Sequence, residues 1–300
     1  MKILLTGKNG QVGFELQRAL APLGQVHAVD SADCNLADAE ALRALVRRVQ
    51  PQIIVNPAAY TAVDRAETDA SLAMAVNATA PGVLGEEANR IGASVVHYST
   101  DYVFDGTKDT AYTEGDAPSP LGAYGRSKLE GEQALAHATA RHLILRASWV
   151  VGAHGSNFAK TMLRLAAERD ELRVVDDQRG APTSAALLAD VTAHLVRQMQ
   201  RADIEQVAFP YGLYHATASG DTSWCDYARF VIGYAQRTGL ALRASPNEVL
   251  PISSDQYPTA ARRPSNSRLD TALFRSTFGL ELPHWQEGLG HVLQQILRKP

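Results

Sequence analysis

This 300-residue chain has little cysteine, little net charge and no long apolar run, and each shortage closes off a class of protein. Its two cysteines, Cys34 and Cys225, stand in unrelated segments. They make neither a disulfide framework nor a metal knuckle, and a reducing cytoplasm suits them. The net charge of −3 argues against nucleic acid or an anionic membrane surface as the main partner. No uninterrupted apolar stretch is long enough to span a bilayer. The run Lys2-Ile3-Leu4-Leu5-Thr6 reads as a strand, not as the apolar core of a signal peptide. Repeats and low-complexity tracts are missing too. At 45% hydrophobic and 20% charged residues the composition is that of an ordinary globular protein. The length suits two domains, or one large α/β domain with a substrate lobe.

What is present first is alternation. Short apolar strands are expected at residues 3–5, 25–29, 53–55, 94–98 and 143–145. Helical patterns lie between them at 13–23, 38–49, 71–91 and 124–140, with Asp38 as an N-cap and Gly92 as a terminating glycine. Strands that are apolar throughout, each followed by a helix, indicate a parallel sheet covered on both faces. The fold class expected is α/β, a doubly wound parallel sheet with a smaller C-terminal α/β lobe. Residues 1–150 form the dinucleotide-binding domain in this reading, and 151–300 mainly the substrate lobe, with some segments returning to the first domain. Helices are expected there at 158–168, 187–199 and 227–237, the last starting near Ser223 or Asp226. Residues 245–267 carry four prolines and read as mostly irregular.

The chemistry-bearing motifs sit where strands end. Gly7, Gly10 and Gly13 follow the first strand and open the first helix, with Gln11 and Val12 between them. Such a loop lets backbone approach a pyrophosphate at a helix N-terminus. Asp30 ends the second strand, where an acid accepts ribose hydroxyls and favours a cofactor without a 2′-phosphate. Lys8 would instead attract that phosphate, so NADPH and NADH both stay open. Asn35 and Leu36, a few residues beyond Asp30, are further candidate cofactor contacts. The third strand runs into Ala58, Ala59 and Tyr60, small residues that would let ribose and pyrophosphate cross the strand end. Asn77 lies in an apolar helix and needs a partner, structural or cofactor. The fourth strand delivers Ser99 and Thr100 to the same edge, and its His97 reads as a buried structural group. Tyr124 and Lys128 stand four apart on one helix face. A tyrosine so placed can pass a proton to a substrate oxygen while the ammonium favours its ionised form.

Together these residues resemble the short-chain dehydrogenase/reductase superfamily in its extended, sugar-nucleotide-modifying branch. Residues 97–104, 157–162, 180–183 and 261–269 narrow the likeness, resembling the dTDP-4-dehydrorhamnose reductase family from Met1 to about Leu297. The resemblance implies reduction, by NADPH or NADH, of the C4 keto group of a dTDP-sugar, with Thr100, Tyr124 and Lys128 catalytic. It implies that Asp101, Tyr102 and Trp149 line the sugar site. Arg262 and Arg263 suit a diphosphate, one binding and its neighbour solvated. Some members of the family hold a magnesium ion between subunits with two glutamates. Glu15 matches one of them, while Ala186 stands at the other, leaving the set a carboxylate short. A homodimer is therefore an open expectation. Two rivals remain: a non-catalytic dinucleotide-binding regulatory subunit, and an epimerase or dehydratase on another sugar nucleotide. Dehydratases need an extra acid–base pair here, but Tyr102, not a glutamate, follows Asp101.

Overall fold

A computed structural model describes residues 1–298. Its centre is a six-stranded sheet, parallel throughout. In chain order the strands are β1 (Lys2–Leu5), β2 (Gln25–Ala28), β3 (Ile53–Asn56), β4 (Ser94–Thr100), β5 (His142–Ala147) and β6 (Gly212–His215). Their spatial order is β6-β5-β4-β3-β1-β2. The chain thus winds one way from β1 to β2 and the other way from β3 onward, and a doubly wound sheet opens at that reversal.

Alternation of side chains explains why both faces are covered. Ile3 and Leu5 of β1 join a core with Leu16 and Leu20 of helix α1 (Gln11–Leu20). Leu4 points the other way, into a core with Leu42 and Val46 of α2 (Ala39–Val49) and Leu84 of α3 (Ala80–Ile91). Asp38 caps α2 by accepting from the Ala41 N–H at 3.0 Å, and Gly92 ends α3 at φ +71°. The expected helix at 71–91 is interrupted. A turn of π-helix, Ala75–Thr79, separates Ala70–Met74 from α3. Pro81 has no N–H for the Asn77 carbonyl four residues back. That carbonyl instead lies so close to Gly131 of α4 (Ala123–Ala138) that a Cβ there would sit 1.9 Å from it.

The second half packs its own core, in which α5 (Phe158–Glu168) meets α7 (Trp224–Arg237) and the last helix, Trp285–Leu297. It also returns to the first. Strand β6 extends the main sheet, and Leu188 and Leu195 of α6 (Ala185–Glu205) join the core that holds Leu16. One expectation needs correction. Within residues 245–267, Val249–Ile252 is a strand that pairs parallel with Leu172–Val175. Pro251 is tolerated because this sheet has only two strands, so each has a free edge. Among the described residues, no helix is long and apolar enough to cross a membrane.

Candidate active site

At the winding reversal between β1 and β3, a cavity of about 840 Å³ opens at the carboxyl ends of the strands. Gly7, Gly10, Gln11, Val12, Gly13, Asp30, Asn35, Leu36, Ala58 and Ala59 line one end. Thr100, Asp101, Tyr102, Tyr124, Lys128 and Trp149 also line the cavity. Tyr60, Arg262, Arg263 and Glu15 do not.

The glycine loop is shaped by close approaches. Gly7 sits at φ +62°, and a Cβ on it would lie 2.9 Å from the Ala58 Cα. A Cβ on Gly13 would lie 2.0 Å from the Gly7 carbonyl oxygen. Gly10 is the N-cap of α1, where no side chain caps the helix and the first turn holds no acid. That N-terminus is left open to an anion, which is the fit a pyrophosphate requires. Gln11 turns away to brace the loop after β5, its Oε1 accepting from the Gly152 N–H at 2.8 Å and from Asn157 Nδ2 at 3.0 Å. Asp30 accepts from Asn9 Nδ2 at 2.6 Å, and Lys8 lies 3.5 Å from it and 2.5 Å from Asp33. Its hydrogen bond to Asp33, with Asp30 adding charge, outweighs desolvation and holds the Lys8 ammonium above its ordinary range.

Asn77 fixes Tyr60 in place. Asn77 Oδ1 accepts from the Tyr60 N–H at 2.8 Å, and its Nδ2 donates to the Tyr60 carbonyl and the Ser127 hydroxyl, each at 3.0 Å. The amide thereby ties the β3 loop to α4. The Tyr60 hydroxyl donates to Asp69 at 2.8 Å.

At the end of β4, Thr100 donates to Asp101 Oδ1 at 3.1 Å and accepts from the Tyr102 N–H at 3.2 Å. Asp101 is buried, and its Oδ2 has no hydrogen-bond partner among the described residues. Burial pushes its carboxyl up to about 6, against hydrogen bonds from Ser267 and Thr100. Tyr124 is partly exposed as a residue, yet its phenol oxygen is desolvated. That desolvation pushes the phenol up to about 12, with the Thr100 hydroxyl opposing and the Asp101 charge reinforcing. Lys128 is buried, and desolvation pulls it down to about 8 against the pull of Glu132. Its ammonium donates to the Tyr98 carbonyl at 2.6 Å and lies 3.2 Å from His97 Nε2.

One wall of the cavity is aromatic. Trp149 stacks on Trp224 at 3.7 Å between ring centroids, and Tyr227 continues the stack. Trp149 sits at φ +47°, a strained conformation for a bulky residue. Its ring lies where a Cβ on Gly180 would stand, 2.6 Å from the nearest ring atom. Trp224 was not among the expected site residues, though it lines the cavity. It is the first residue of α7, capped by Ser223, and its sequence signal is a scarce tryptophan on a first helical turn. The adjacent arginines diverge: Arg262 is exposed, while Arg263 makes a two-pronged bond to Asp64 at 2.7 and 3.2 Å. Glu15 lies 3.6 Å from Arg18. Among the described residues, no three His, Cys, Asp or Glu side chains gather as a ligand set.

Known proteins are similar to this chain end to end. A family described as the RmlD substrate binding domain matches residues 1–298. A dTDP-4-dehydrorhamnose reductase of Shigella flexneri is 51% identical over 300 residues, 99% of this chain and 98% of the relative. One of Burkholderia thailandensis is 46% identical over 297 residues, 99% of each chain. The crystal structure of dTDP-4-dehydrorhamnose reductase from Bacillus anthracis in complex with NADP superposes with a TM-score of 0.88 at 34% identity. It covers 98% of this chain and 99% of that one. The chain therefore belongs to the RmlD family, with dTDP-4-dehydrorhamnose reductases among its relatives.

Proposed function

We propose that this chain reduces the C4 keto group of dTDP-4-dehydro-β-L-rhamnose to the alcohol, giving dTDP-β-L-rhamnose, with NADPH or NADH as reductant. The observation that carries the reading is the convergence of Thr100, Tyr124 and Lys128 on a cavity whose other end is a glycine loop facing an uncapped helix N-terminus. The reduced nicotinamide supplies a hydride to C4 when bound. Tyr124 gives its phenolic proton to the C4 oxygen as the carbonyl becomes a hydroxyl. Its raised pKa keeps that proton in place until charge develops on the substrate oxygen. Thr100 donates a second hydrogen bond to the same oxygen, swinging its proton away from Asp101. Lys128 stabilises the tyrosinate left behind. Its two present contacts leave one N–H for the nicotinamide ribose.

The stacked Trp149 and Trp224 offer an apolar face to a deoxysugar. Asp30 and Lys8 together accommodate either cofactor, the acid through ribose hydroxyls and the lysine through a 2′-phosphate. Glu15 is the one carboxylate carried forward as a magnesium contact, and a homodimer is the assembly that contact would join. Two buried free thiols suit a reducing cytoplasm.

The test is absorbance of the reduced nicotinamide, with dTDP-4-dehydro-β-L-rhamnose, each cofactor in turn, and magnesium present or absent. Substrate-dependent loss of absorbance is expected. No loss with either cofactor, from folded protein that binds dinucleotide, would move the reading to a regulatory subunit or an epimerase.

A further inference from the structure

A buried polar chain runs under the cavity, across three strands, and the reduction as written does not use it. The Thr6 hydroxyl, at the end of β1, bonds the Asn56 amide of β3 at 2.5 Å. That amide lies 3.1 Å from His97 Nδ1, and His97 Nε2 lies 3.2 Å from Lys128 Nζ. All four residues are at most 2% exposed. We infer that His97 is a positioning residue, its Nε2 accepting from the Lys128 ammonium and holding that charge beside Tyr124. The inference rests on the reductase reading.

The chemistry of the donors gives two arrangements. An ammonium only donates, so Nε2 must accept and Nδ1–H must donate to an oxygen of Asn56, either its backbone carbonyl or, once the amide turns over from the placement that points Nδ2 at the ring, its Oδ1. A neutral lysine amine takes the reverse: Nε2–H donates to Nζ, Nδ1 accepts from the Asn56 NH₂, and Thr6 donates to the amide oxygen. The imidazole stays neutral in both. Burial and the Lys128 charge hold it well below its ordinary range, against a hydrogen bond with the Asn56 backbone. The protonation state of the lysine is thus tied to the tautomer of His97.

The other groups around Lys128 leave His97 this role. Glu132, one turn further along α4, is held by Arg146 of β5 at 2.8 and 2.6 Å. Tyr124 stands one turn earlier, and the charge of Asp101 acts on Tyr124. From β4, the remaining contact is the Tyr98 carbonyl. Asn56 and Thr6 carry no charge. Nε2 is therefore the one side-chain acceptor bonded to this ammonium among the described residues, and it opposes the desolvation that pulls Lys128 down.

The experiment compares His97→Gln, His97→Asn and His97→Leu. A glutamine carries its amide oxygen to about the place of Nε2, whereas an asparagine reaches only to that of Nδ1. The readouts are the alkaline limb of the kcat/KM profile, the pH dependence of NADPH binding, and the melting temperature. Without its acceptor the ammonium is lost at lower pH, so the alkaline limb should move down in His97→Leu and His97→Asn. The shift expected from one charge-assisted hydrogen bond is about one pH unit. His97→Gln should restore the limb toward wild type. If all three variants lose melting temperature but keep the wild-type limb, His97 is a packing residue and the inference fails. A glutamine variant shifted as far as asparagine overturns it too. A wild-type enzyme that consumes no cofactor would instead sink the reductase reading.

Discussion

The two ends of the cavity are built from different materials. The cofactor end is mostly backbone: Gly7 against Ala58, Gly13 against the Gly7 carbonyl, and an uncapped helix N-terminus at Gly10. The aromatic end, the proposed sugar end, is mostly side chain, with Trp149 and Trp224 brought together from segments 75 residues apart. Backbone geometry tolerates no added atoms, while an aromatic wall tolerates loss at the expense of affinity. Thr100, Tyr124 and Lys128 line the same cavity.

Removing the proton donor should have the largest effect. Tyr124→Phe keeps the ring and loses the phenol, so kcat should fall by about 10²- to 10⁴-fold. NADPH affinity should stay near wild type, which a titration of cofactor fluorescence checks. Wild-type turnover in this variant would mean that another group protonates the oxygen.

Gly13→Ala should break the cofactor end next. The added methyl would meet the Gly7 carbonyl, and backbone cannot move aside as a side chain does. Overpacking of this kind costs about 1–3 kcal/mol, read as a lower melting temperature. Cofactor affinity should fall with it, because the displaced loop is the one facing the helix N-terminus. Gly92→Ala makes the control. Its positive φ carries strain, but no neighbour lies within 4 Å, so cofactor affinity should not change.

The contrast in materials also explains what could be read from the chain alone. The glycine spacing, the Asp38 cap and the apolar strands are local signals. The six parallel strands follow from them, apart from β6, which returns after some 65 residues. The π-turn at Ala75–Thr79 was legible in principle, since Pro81 removes a hydrogen bond four residues back, but helical periodicity concealed it. Trp224 was not legible as a site residue, because only the folded lobe carries it to Trp149. The link from Lys128 to Thr6 was equally hidden, since it crosses three strands adjacent in space and distant in sequence.

At the sugar end, Trp224→Ala should raise the KM for the dTDP-sugar and leave cofactor affinity alone. An aromatic stacking pair contributes about 0.5–1.5 kcal/mol beyond its buried area, so an increase on the order of 10-fold is expected. An equal loss of cofactor affinity would show that the two ends are not independent.

The smallest effects are expected at the paired arginines, and there the comparison can be sharpened. Arg262 is exposed and has no side-chain hydrogen bond or ion pair among the described residues, so Arg262→Ala should change the sugar KM less than about twofold. Arg263 is half-buried and tied to Asp64, whose carboxyl it holds below the ordinary range. For Arg263 to reach a diphosphate it must leave that acid, exchanging one anionic partner for another. Asp64→Asn frees the guanidinium without removing it. If Arg263 binds the diphosphate, Asp64→Asn should lower the KM or leave it unchanged, while Arg263→Ala raises it several-fold. If Arg263 only fastens the C-terminal segment to Asp64, both variants should lower the melting temperature alike and move the KM in the same direction.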